Sequence, residues 1–135
     1  MKRRAAREIA FRLTYEMTVT GEFNPDTRAE LTASADADSR EYIGSVVAGV
    51  WENRERLKAV ISKYAKGYDF SRIYKTDLAA LYVACYELLY TDTPRAVIVN
   101  EAVELSKSYS DTQSYSFVNG ILASVIKGEL DGSDN

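Results

Sequence analysis

The sequence predicts an all-α protein, one domain of five or six substantial helices arranged in two sub-bundles. Three observations carry this reading. Apolar residues recur at helical spacing along most of the chain. Breakers are scarce, with two prolines and seven glycines in 135 residues. The connections between the periodic segments are short, which favours antiparallel neighbours. At this length, with 46% hydrophobic residues, a single domain can bury a real core.

The elements follow in order. Residues 3–19 place Ala5, Ala6, Ile9, Ala10, Leu13 and Met17 on one side of a helix, which Gly21 ends. Asn24-Pro25 marks a turn into a short amphipathic helix over 26–37, anchored by Leu31. One long helix is expected from about Ser39 to Tyr64, with Tyr42, Ile43, Val46, Val47, Val50, Leu57, Val60 and Ile61 as its stripe. Gly44, Ala48 and Gly49 are small enough to admit a neighbouring helix, and Gly67 breaks the pattern. YDFSRIYK (68–75) reads as a loop with a helical turn. Thr76 is the expected N-cap of the next helix, with Asp77 in the first turn, where the helix dipole favours an acid.

Residues 77–90 are apolar nearly all round, the mark of a central helix. Glu87 is the exception, and it is expected to pair with an Arg or Lys. Pro94 suits the first position of the helix PRAVIVNEAVELSKSY. A last helix is expected from about Thr112 to Lys127, packing through Val118, Ile121, Leu122 and Val125. Residues 1–127 thus form one domain, with sub-bundles of about 1–66 and 67–127, and 128–135 are read as a flexible acidic tail.

Charge is unevenly placed. The net charge is -3, yet residues 1–15 hold Lys2, Arg3, Arg4, Arg7 and Arg12 against Glu8 alone. A basic end on an acidic body is a footprint of polyanion binding. Reactive chemistry finds little support. There is no histidine, which removes the commonest general base and metal ligand. Glu101 and Glu104 lack the histidines of a di-iron bundle, and Asp36 and Asp38 lack the Gly and distal Glu of a calcium loop. There is no glycine-rich phosphate loop and no nucleophile elbow. The single cysteine, Cys85, sits in the apolar run LAALYVACYELLY and reads as a small buried hydrophobe. These features predict a binding protein rather than an enzyme, with no metal or cofactor. With no signal peptide and no membrane-length apolar run, it is expected to be cytoplasmic.

On a helical wheel, Arg3, Arg4 and Arg7 cluster opposite the apolar stripe of the first helix, and Phe11 and Tyr15 project on the same side. Arginine makes bidentate contacts to phosphate, and aromatic rings stack on unpaired bases, so single-stranded RNA is the natural match. The alternative stays open: a solvated basic face, with Phe11 and Tyr15 buried by other helices.

The opening RRAARE, the run ACYELLY, the segment DTPRAVIVNEAVELSKSY and the terminal FVNGIL, in that order over roughly residues 2 to 127, resemble the NusB family of bacterial transcription antitermination factors. The resemblance implies about seven helices, so the expected fold is an all-α helical bundle of about six to seven helices in two sub-bundles. It implies no catalysis. It implies an adaptor that binds boxA-like single-stranded RNA of nascent ribosomal RNA together with a small-subunit ribosomal protein, NusE, within an RNA polymerase antitermination complex. Carried over by position, it assigns RNA contact to Lys2, Arg3, Arg4, Arg7, Ser116 and Phe117, and contact with the ribosomal protein to Tyr15 and Asp77. The chain departs from the family at Gln113, Ser114, Tyr115 and Ser116, where an acid, a Ser-His pair and a Lys are frequent. Pro94-Arg95-Ala96 likewise stands where Pro-Tyr-Lys is frequent. The competing reading is a homodimeric helical protein-interaction module without direct RNA binding.

Overall fold

The computed structural model describes residues 1–111 and 113–132. Among them are seven α-helices and no strand: α1 (Arg3–Thr20), α2 (Pro25–Leu31), α3 (Ala37–Glu52), α4 (Arg54–Tyr64), α5 (Lys75–Tyr90), α6 (Arg95–Tyr109) and α7 (Ser114–Val125). A 3-10 turn (Phe70–Arg72) precedes α5, and a π-helical turn (Ile126–Leu130) follows α7. No helix among these residues is long and apolar enough to cross a membrane.

The ends of the helices show why the chain breaks where it does. Gly21 closes α1 in the left-handed region (φ 75), its N–H donating to the Met17 carbonyl, a conformation costly for any residue with a Cβ. The Asn24 side chain accepts from the Asp26 and Thr27 amides, with Pro25 pre-set for the first turn of α2. Asp36 caps α3 in the same way through the Ser39 amide. Two expected caps shift by a residue or two. Tyr74 rather than Thr76 occupies the N-cap of α5, and Pro94 is itself the N-cap of α6. Thr76 instead donates its hydroxyl to Ser110 Oγ at 2.8 Å, tying α5 to the end of α6.

The single long helix expected from Ser39 to Tyr64 is two helices. Asn53 leaves the helical region (φ -106, ψ 17). Both its backbone N–H and its side-chain Nδ2 donate to the Gly49 carbonyl, at 3.0 and 2.8 Å. A side chain that competes for its own helix's carbonyl interrupts the ladder. The break re-aims α4 so that Leu57, Val60 and Ile61 are buried, against α5 and α7.

α5 is the central element. It packs against α1, α3, α4, α6 and α7, and eleven of its sixteen residues are buried, from Asp77 to Leu88. It therefore joins the helices before Gly67 to those after it through one continuous core. Gly49 matters at this junction, because a Cβ there would collide with the Tyr86 ring of α5. Helical backbone continues past Lys127 through Leu130. Gly128 packs on Tyr64, and the Glu129 carboxylate accepts from Tyr64 Oη at 2.5 Å and Lys63 Nζ at 3.1 Å. Residues 128–130 of the expected tail are thus held against α4, and 133–135 lie outside the described residues. So does Thr112, the expected start of the last helix.

Candidate nucleic-acid and partner interface

The basic end is the start of α1, and its local electrostatics are unusual. Lys2 is the N-cap and supplies no side-chain cap, and the first turn holds no acid. Cations here oppose the helix dipole, at about 0.3–1 kcal/mol each. Compensation comes from carboxylates on other helices. The Met1 ammonium lies 2.6 Å from Asp36. Arg3 Nη2 lies 3.4 Å from Asp38, and its guanidinium stacks 4.0 Å above the Tyr42 ring. Arg4 Nε donates to both oxygens of Glu101, at 3.1 and 3.2 Å. Arg3 and Arg4 nonetheless remain open to solvent, with side chains 46% and 68% exposed. Lys2 is exposed and makes no ion pair with a described residue.

Arg7 corrects the sequence reading. Expected on the RNA-facing surface, it is 4% exposed. Its Nε and Nη2 donate to the two oxygens of Glu87 at 2.8 and 3.1 Å, and Tyr42 Oη donates to Glu87 Oε1 at 3.1 Å. Arg7 therefore belongs to the core. The reason is a second buried stripe on α1, Arg7, Phe11 and Thr14, spaced i, i+4, i+7, which a one-face wheel treats as outside. α1 is covered by α3 and α5 at once. Burial tends to lower the Arg7 pKa, but the bonds and field of Glu87 outweigh it and hold the pKa above its ordinary value. Burial, then the Glu87 charge, pushes the Tyr42 hydroxyl up.

Phe11 is likewise buried, at 2%, with its ring 4.9 Å from Tyr109. Tyr15, 39% exposed, keeps an open surface. It lines a cleft of about 460 Å³ with Phe11, Arg12, Glu16, Glu30 and Thr76. Asp77, expected to meet the ribosomal protein, is 2% exposed and accepts from Ser106 Oγ at 2.9 Å. Its position in the first turn of α5 points the carboxylate at α6, so it binds two helices together rather than a surface ligand. Ser116 is exposed. Phe117 is half-buried, its ring 4.7 Å from Tyr68 and at 65° to it, in a second cleft with Arg72, Tyr74 and Ser114. The structure brings Lys2, Arg3 and Arg4 together at one helix end. The cleft beside Arg4, the Tyr15 cleft and the Phe117 cleft share no lining residue.

The sequence reading passed over Tyr42, Asp38 and Glu101 as partners of the arginines, and over Tyr68 and Tyr74. Only the pairing of Glu87 was signalled, by an acid inside an apolar run. Among the described residues, no three His, Cys, Asp or Glu side chains come close enough to hold a metal ion. Cys85 is fully buried, which pushes its thiol up to about 12, far from a reactive thiolate.

Among the described residues the protein is all-helical, with cations exposed at the start of α1 and aromatic rings exposed on the helices and on the α4–α5 connection. The chain belongs to the NusB family, whose model matches residues 4–127. The transcription antitermination protein NusB of Acetivibrio thermocellus is 44% identical over 145 residues, covering 100% of this chain and 97% of that protein. Its Bacillus cereus counterpart is 37% identical over 126 residues, covering 93% and 97%. A chain in the crystal structure of antitermination factors NusB and NusE in complex with double-stranded RNA superposes with a TM-score of 0.84 at 26% identity, covering 93% of this chain and 96% of that one.

Proposed function

We propose that this protein is a non-catalytic, cytoplasmic RNA-binding adaptor of transcription antitermination. In this reading it binds boxA-like single-stranded RNA of nascent ribosomal RNA together with the small-subunit ribosomal protein NusE, as part of an RNA polymerase antitermination complex. The observation that carries it is the start of α1, where Lys2, Arg3 and Arg4 are exposed on an ordered helix end with no first-turn acid. The carboxylates now beside Arg3 and Arg4 form surface ion pairs, each worth about 0–1 kcal/mol. A phosphate oxygen replaces them with a charge-assisted bond of equal or greater strength. Arg7 takes no direct part.

The Tyr15 cleft suits the protein partner. Glu16 and Glu30 line it beside the exposed ring, and a basic ribosomal protein complements them. Phe117 and Ser116 extend the RNA surface onto α7.

The test is fluorescence anisotropy with a labelled boxA-like strand and its duplex, with and without NusE, across a salt series. Each phosphate contact contributes about -0.7 to the slope of log affinity against log salt for a single strand. The Arg3→Ala/Arg4→Ala variant is expected to flatten that slope by about 1.4 and to weaken binding. Unchanged affinity and slope in that variant would falsify the reading. A tight dimer that binds neither RNA nor NusE in sedimentation would replace it with the homodimeric module.

A further inference from the structure

Tyr68 and Tyr74 are the most exposed of the large apolar side chains among the described residues, at 62% and 60%. Folding gains little from rings left so far in solvent. They are not scattered. Both belong to the connection between α4 and α5, and both line one cleft of about 340 Å³ with Phe117, Arg72, Gln113 and Ser114. That volume is at the small end of ligand sites, which run from about 300 to 1,000 Å³. Phe117 comes from α7, which fixes one wall on a helix, and its 4.7 Å contact with Tyr68 anchors the loop ring against it.

Charge identifies the occupant. The segment from Lys66 to Lys75 carries Lys66, Arg72 and Lys75 against Asp69, within a chain of net charge -3. All three cations are exposed, and none makes an ion pair with a described residue. Three carboxylates lie close by, with Asp77 and Asp111 in the lining of the cleft itself. Asp69 accepts from Ser71 N and Oγ at 3.0 and 2.8 Å. Asp77 is held by Ser106, and Asp111 accepts the Gln113 N–H at 3.0 Å. The cations thus come from Arg72 in the cleft wall and from Lys66 and Lys75 on the chain at either side of it. Free cations interleaved with exposed rings match an unpaired nucleotide strand, whose bases stack on aromatics and whose phosphates pair with Arg and Lys.

We infer that Tyr68, Tyr74 and Phe117 form a stacking site for an unpaired base of single-stranded RNA, with Lys66, Arg72 and Lys75 neutralising the phosphates on either side. This rests on the RNA-binding reading above and gives the strand a second point of attachment, on the α4–α5 connection, apart from the start of α1.

The test uses the full chain, with NusE present and absent, and a single strand of about 12 nucleotides carrying 5-iodouridine. After irradiation and tryptic digestion, cleavage at Lys66 and Arg72 isolates residues 67–72, in which Tyr68 is the only tyrosine. An RNA adduct on that peptide is expected. The Tyr68→Ala/Tyr74→Ala variant is expected to bind about 5- to 150-fold more weakly for each stack lost, the equivalent of about 1–3 kcal/mol. Its salt slope should stay that of the parent, because no phosphate contact is removed. Tyr68→Phe is expected to keep the affinity.

Two results would overturn the inference while leaving the broader reading intact. In the first, the parent binds the strand and responds to Arg3→Ala/Arg4→Ala, but the tyrosine variant binds equally well and no adduct falls on 67–72. In the second, the tyrosine variant keeps RNA and loses NusE, which assigns the cleft to the protein partner. A parent chain that binds no strand under either condition removes both proposals together. The adduct is read on the unmodified chain and does not depend on any variant folding.

Discussion

Replacing Glu87 by leucine gives the most demanding test of how α1 is held. Arg7 and Glu87 are 4% and 1% exposed, and the carboxylate receives three bonds, two from Arg7 and one from Tyr42. Glu87→Leu leaves a guanidinium buried without a counter-charge, a loss of about 3–5 kcal/mol. The stranded Tyr42 hydroxyl adds about 1 kcal/mol where it cannot reach water. Against a total stability of about 5–15 kcal/mol, the variant is marginal. Urea unfolding followed by far-ultraviolet circular dichroism measures this. With a slope of about 2 kcal/mol per molar, the midpoint should fall by about 2 M. Arg7→Met/Glu87→Leu removes both charges and should recover most of the loss, because two well-packed apolar side chains replace an ion pair at little or no net cost. The reasoning fails if the single variant stays within about 1 kcal/mol of the parent, or if the double variant is as unstable as the single.

Other expectations follow from the same packing. Gly49→Ala should lower stability by about 1–2 kcal/mol, since overpacking against Tyr86 outweighs the alanine's gain in helix propensity; thermal unfolding of Gly49→Ala and of Gly49→Ala/Tyr86→Leu checks it, the second variant recovering the loss. The Tyr64 hydrogen bond, then that of Lys63, holds the Glu129 carboxyl below its ordinary value. A depressed carboxyl stabilises the fold above its unfolded pKa, and this contribution is lost as pH falls through the folded one. The stability difference between the parent and Glu129→Gln should therefore be present at neutral pH and vanish with acidification, read from urea midpoints along a pH series. Cys85, buried with its thiol pushed up to about 12, should resist a thiol-specific reagent in the native state and react at once in denaturant, as absorbance of the released chromophore will report.

The sequence made the helices legible where punctuation was explicit. Gly21 and Asn24-Pro25 each mark an end that the backbone obeys, whereas the Asp36 cap falls inside the helix expected over 26–37. The Asn53 break was not legible, because the apolar stripe resumes at Leu57 in a phase that one continuous helix also satisfies. The site was legible only as a charge imbalance. A wheel for α1 sorts residues by direction but cannot say that two helices cover it, so Arg7 appeared to face outward and Phe11 stayed open between a surface and a buried position. The partner that buries Arg7 lies 80 residues away, and only the oddity of Glu87 within an apolar run hinted at a matching cation. The carboxylates beside Arg3 and Arg4 come from α3 and α6, at separations no local pattern encodes. Tyr68 and Tyr74 were hidden in a segment that reads as ordinary loop, since exposure is set by the packing of α5 and α7 around it.

The meeting of α1, α3 and α5 on the Glu87 carboxylate has a further effect at the start of α1. An unanchored basic tail must surrender its freedom when it docks, about 1–2 kcal/mol for each residue that becomes fixed. Here Arg3 rests on Tyr42, which is itself bonded to Glu87, so that entropy is already lost before any ligand arrives. The first turn of α1 is a pre-organised prong, and what affinity its cations have reaches the bound state with little subtracted for ordering.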